Sequence, residues 1–255
     1  MQVAKQHGRN RRNWGLLQVI PTLKTARAFL PEFIARLTVR RESGPIDSLP
    51  GLHRFVSTRA AFIAQKTLYG YLKTRMGTRY PSMFEDDVFV RSINIAKLHV
   101  FAACLSDLAI FAVGRALGEL PGEHGTDDDL RRRLALSCFE KGLADNAEEA
   151  AGVPDFSPAE AVAAFQRRVA FWDWHEGPEG ADIFAESPAA LVRWAPIAPE
   201  LKKYDEEIVR NSVKFAWREI RNQLDKRIDA AALAAAAREE ARAQPSTAPD
   251  PLAGP

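Results

Sequence analysis

The sequence predicts an all-α protein, a helical bundle around a central antiparallel helix hairpin with a long C-terminal helix. Three observations predict it. Alternating β-branched runs do not occur, so strands have no pattern to build on. Apolar residues recur at helical spacing, and helix-start signals such as Ser82-Met83-Phe84-Glu85 and Ser157-Pro158-Ala159-Glu160 punctuate the chain. The turn Gly77-Thr78-Arg79-Tyr80-Pro81 is short enough to fold the long stretches on either side back against each other.

Taken in order, Leu23, Ala26, Leu30, Phe33, Ile34 and Leu37 place a helix over 16–41, interrupted at Pro21 and Pro31. A second helix spans 51–76. A third, over 82–119, opens on the capping box at Ser82, with Asp86 and Asp87 favoured by the helix dipole. Asp127-Asp128-Asp129 offer a cap for 127–143, and a short helix follows over 145–152. Ser157 and Ser187-Pro188 start helices over 157–175 and 188–194. The last helix, 199–243, becomes an Ala-rich run from Ala230 with little apolar bulk to bury, then gives way to a Pro/Ala tail expected to be disordered. Three regions follow: a basic arm over 1–49, a helical domain over 50–229 and the tail 230–255. No internal repeat is present.

With 255 residues, 46% apolar and 27% charged, the chain can bury a proper core and is not disordered as a whole. Its net charge of +2 conceals a partition. Residues 1–42 hold nine Lys/Arg against two acids, whereas residues 106–190 hold seven against seventeen. Oppositely charged segments face each other or face different partners. Cys104 and Cys138 are too few for a disulfide framework or a metal cage, which fits a reducing compartment. Met1 to Trp14 is basic but lacks the apolar core and cleavage site of a secretory signal. The localisation expected is cytoplasmic, with peripheral attachment to the inner membrane face as the variant.

The run 98–114 has the apolarity of a membrane span, but Asp107 lies near its middle. A carboxylate at bilayer centre costs about 2.5–3.5 kcal/mol. A helix apolar on every side also suits the centre of a bundle, and that reading is preferred. A buried carboxylate needs a partner. Folding the hairpin about its turn puts Asp107 opposite His53 and Arg54, His99 opposite Arg59, and Asp86-Asp87 opposite Lys73. Asp107 is therefore expected to meet His53 or Arg54. His53, His99 and Asp107 are the candidate acid/base residues, set against a plain structural clasp.

The nucleophile elbow, the phosphate-binding loop, the dinucleotide glycine fingerprint, the HExxH zinc motif and the paired Glu-x-x-His of di-iron bundles are all absent from the sequence. Asp173-Trp174-His175-Glu176 looks metal-like, but adjacent helical residues point in different directions. No metal and no cofactor is expected.

Between Asp47 and Glu85 there is no acid, while Arg54, Arg59, Lys66, Lys73, Arg75 and Arg79 all fall there with Tyr69, Tyr71 and Tyr80. These six cations are the candidate binding residues. Positive charge with stacking rings suits single-stranded nucleic acid, provided the cations share one exposed stripe. The near-neutral total charge argues against a dedicated nucleic-acid binder. The basic arm has the composition of a docking helix or a membrane-surface helix.

The stretch from Arg54 to Leu108, above all KTLYGYLKTRMGTRYPSMFEDDVFVRSINIAKLHVFAACLSDL, resembles a group of bacterial helical proteins of unassigned function, some labelled esterase. It covers about a fifth of the chain. The resemblance implies a helical unit and, for the labelled members, a small-molecule hydrolase, and no catalytic residues come with it. The function expected is a non-enzymatic interaction or scaffold protein that holds an acidic partner or an anionic membrane surface through its basic N-terminal region. An esterase-like hydrolase with a His/Asp site and a nucleic-acid binder are the alternatives.

Overall fold

The computed structural model describes residues 44–118, 124–174 and 183–243, and over these the chain is all-α, its helices packed against one another. Helix α1 (Leu49–Met76) takes Pro50 in its first turn, where the missing N–H costs nothing. It stops at Gly77, whose φ of 53° suits a residue without a side chain. Helix α2 (Asp87–Leu117) begins later than the sequence predicts. Ser82–Glu85 forms a single 3-10 turn instead, with the Ser82 hydroxyl donating back to the Arg79 carbonyl. The cap is Asp86, which accepts from the amides of Val88 (2.8 Å) and Phe89 (3.4 Å). An ionised carboxylate holds orphan amides more strongly than a hydroxyl does, so Asp86 displaces Ser82 from the role. Across the hairpin, Ala61 and Ala64 share one surface dent with Leu98 and Phe101.

Helix α2 is the centre of the bundle. Packed on it are α1, α3 (His124–Ala144), α6 (Glu186–Trp194) and α9 (Ala230–Ala243). Every residue from Cys104 to Gly114 is buried, which explains why this helix is apolar on all sides. Among the described residues it is the one helix long and apolar enough to cross a membrane, and 89% of its most apolar window lies inside the protein.

Helix α3 runs back along α2. Arg131 near its start donates to the Leu117 carbonyl, and Gly142 near its end lies so close to Leu105 that an added Cβ would sit 2.6 Å from a Leu105 methyl. After the single turn α4 (Ala147–Ala150), helix α5 (Pro158–Ala170) is capped by Ser157, whose hydroxyl accepts from the Glu160 amide at 3.3 Å. It packs on α3, with Phe165 stacked on Phe139 at 4.3 Å between ring centroids.

The predicted helix over 199–243 is three pieces: α7 (Pro199–Lys202), α8 (Glu206–Asp225) and α9. The second break has a visible cause. The Ile46 amide donates to the Arg227 carbonyl at 2.7 Å and the Asp229 amide to the Ile46 carbonyl at 3.0 Å, so the backbone leaves the helix to form a parallel bridge. Asp229 then caps α9 by accepting from the Ala232 amide at 3.0 Å. Helix α9 is not too poor in bulk to pack: Leu233, Ala234 and Ala237 are buried, since small side chains let its backbone approach α2 and α3 closely. One core therefore runs from Ile46 to Ala237, across the boundaries drawn from the sequence at 49 and 229. The arm helix over 16–41 and the tail beyond 243 lie outside the described residues.

Candidate functional site

Asp107 is fully buried, and its neighbours differ from those expected. Arg168 of α5 donates through Nη1 to Asp107 Oδ1 (2.8 Å) and to Ser106 Oγ (2.6 Å), and through Nη2 to the Ile183 carbonyl (2.7 Å). The backbone amides of Glu186 (3.3 Å) and Ser187 (2.8 Å), at the positive N-terminal end of α6, donate to the same carboxylate. Ser187 Oγ in turn accepts from Trp217 Nε1 of α8 at 3.0 Å. The partner is thus Arg168, not His53 or Arg54. The physical reason is the face that Asp107 occupies, which looks toward α5 and α6 instead of α1. Burial pushes its carboxyl up from the ordinary value, while the Arg168 charge and the Ser187 bonds pull it back down. With both oxygens occupied by donors, this carboxylate is spent as a proton acceptor.

The two histidines sit elsewhere. His53 is buried, with Nε2 3.3 Å from Ser137 Oγ of α3. Burial lowers its pKa to about 4, helped by the Lys141 charge and opposed by Asp145, so the ring is neutral near pH 7. His99 lies flat on Trp194, centroids 3.5 Å apart, with Phe156 edge-on at 5.2 Å. Its Nε2 is 2.8 Å from the Asp155 carbonyl, which can only accept, so Nε2 carries the proton. Burial lowers its pKa as well, against the pull of that bond. No hydrogen bond or ion pair joins any two of His53, His99 and Asp107. One surface dent is lined by Ala61, Ala64, Gln65, Lys97 and Glu149 and another by Leu143, Ala150, Phe156 and Pro158, with Leu98, Phe101 and Asn146 common to both. Neither touches the three residues. Among the described residues no group of His, Cys, Asp and Glu could hold a metal ion. His175 lies outside the described residues.

The six cations divide. Arg59 is buried, its guanidinium over the Phe55 ring at 5.6 Å. Arg75 pairs with Asp205, to which Tyr71 also donates at 2.7 Å. Lys66 and Lys73 instead face solvent along one side of α1 with Gly70, Arg54 is exposed about 120° round the helix from Lys66, and Arg79 is exposed in the turn. The tyrosines do not join them. Tyr69 stacks on Phe84 at 6.4 Å and Tyr80 meets the same ring edge-on at 5.2 Å, so the aromatic half of a base-stacking platform is used to pack the turn.

Of the residues that complete the buried cluster, Arg168 and Trp217 were not singled out by sequence reasoning, and Ser187 was read only as a helix start. The usable signal was the solitary carboxylate in an apolar helix together with the adjacent arginines Arg167-Arg168 in the predicted 157–175 helix. In comparison with known proteins, no family model, no curated protein and no solved structure matches this chain.

Proposed function

We propose that the protein is a non-enzymatic interaction module that holds an acidic protein partner through the basic face of α1. The observation that carries this reading is the exposed pair Lys66 and Lys73 on one side of α1, with Arg54 and Arg79 exposed toward its two ends, next to Arg59 and Arg75 that the fold uses for itself. Cations held on one rigid helix steer and retain an acidic surface without a pocket, and their attraction falls as salt rises. The arm over 1–42, with nine Lys/Arg against two acids, adds positive charge to the same chain.

The probe is immobilised poly-glutamate, with vesicles containing an anionic phospholipid as the second arm. At about 50 mM salt the full chain binds poly-glutamate, and binding drops at least about tenfold at about 300 mM. The variant Arg54→Glu/Lys66→Glu/Lys73→Glu loses most of it while its melting temperature stays put. Binding that ignores both salt and these charge reversals, or preference for vesicles over the peptide, overturns the reading.

A further inference from the structure

Helix α8 presents two apolar faces. The inner one buries Val209, Val213, Ala216, Trp217, Ile220 and Leu224. The outer one keeps Ile208 and Phe215 exposed at 67% and 73%, and just before the helix Leu201 and Tyr204 are exposed at 53% and 76%. These four are most of the large apolar side chains exposed among the described residues, so the stripe is a concentration and not scatter. A spacing of seven residues puts Ile208 and Phe215 on one line down the helix, with Tyr204 in the turn just before it.

The charges beside that line are ordered. The outer face begins with Glu207 and ends with Arg218, whose guanidinium lies over the Phe215 ring at 5.4 Å. Glu207 has no ion-pair partner among the described residues. We propose that this face is the contact surface of a two-fold dimer, in which α8 of one copy lies antiparallel to α8 of a second copy. Turning the helix about a point between Asn211 and Ser212 sets Ile208 against Phe215 of the second copy, and the reverse contact is generated by the same rotation. It also brings Glu207 within about two residues, or about 3 Å of helix rise, of Arg218 of the second copy. The patch is thus complementary to itself in both shape and sign, as an isologous contact requires. A parallel arrangement opposes like charges instead. An anionic membrane fits less well, because Glu207 and Glu219 flank the stripe as well as Arg218.

Tyr204 and Phe215 offer on the order of 150 Å² each, along a helix about 30 Å long. That places the contact at the small end of specific interfaces, with association in the micromolar range. Sedimentation equilibrium of the full chain from about 1 to about 200 µM reads it directly. The expected result is a monomer–dimer equilibrium whose Kd rises at least about tenfold in Ile208→Glu/Phe215→Glu, with an unchanged circular dichroism spectrum and melting temperature. Glu207→Arg and Arg218→Glu each weaken the dimer, and the two together restore it, an outcome that damage to the fold does not produce. A monomer throughout the range, a dimer indifferent to the apolar substitutions, or charge reversals that the pair fails to rescue each overturn the proposal.

Discussion

His53 shows how one burial sets a pH response. In the folded chain its pKa is lowered to about 4, whereas an unfolded histidine keeps the ordinary 6.5. Above pH 6.5 both states are neutral there, and the fold loses nothing. As pH falls from 6.5 toward 4 the unfolded state takes a proton that the folded state refuses, so stability declines by up to about 3 kcal/mol. Urea midpoints at pH 7 and pH 4.5 measure the drop, and His53→Gln, which keeps a bonding group for Ser137 but does not titrate, flattens it. A midpoint loss identical in the variant would assign the effect to other groups. The sequence pointed to His53 only through its expected place opposite Asp107 across the hairpin. It did not reveal the ring's environment, because Ser137 and Lys141 reach it from α3, more than eighty residues along the chain.

At the scale of elements, the cluster around Asp107 ties α2 to α5, α6 and α8. Removing one member leaves the other's charge buried alone: Asp107→Ala should cost about 3–5 kcal/mol in urea unfolding. The double variant Asp107→Leu/Arg168→Met, apolar on both sides, should recover most of that loss. Recovery no better than either single variant would mean that the amides of α6, not Arg168, are the principal partners. Helix starts were legible where the signal is local, as at Ser157, because a hydroxyl and an amide three residues on need nothing else. Where two local signals competed, at Ser82 and Asp86, the stronger acceptor won and the helix starts later. The division between α8 and α9 was not legible, since it depends on Ile46, far away in sequence.

The described residues are organised around a core that reaches from Ile46 to Ala237, and both cysteines lie inside it. Burial pushes the Cys138 thiol up to about 12 and Cys104 well above its ordinary value, so neither forms thiolate at neutral pH. Labelling by a thiol reagent at pH 8 is expected to be about a thousandfold slower in native buffer than in urea, limited by opening of the bundle. Rapid labelling of either thiol without denaturant would show that the bundle opens locally. The bridge between Ile46 and Ile228 has a further consequence. A ribosome releases the segment before α1 long before it makes the residue that segment pairs with. The nascent chain therefore holds its first helix with one flank uncovered until Ile228 has emerged, and during that interval apolar surface that the finished fold buries faces water.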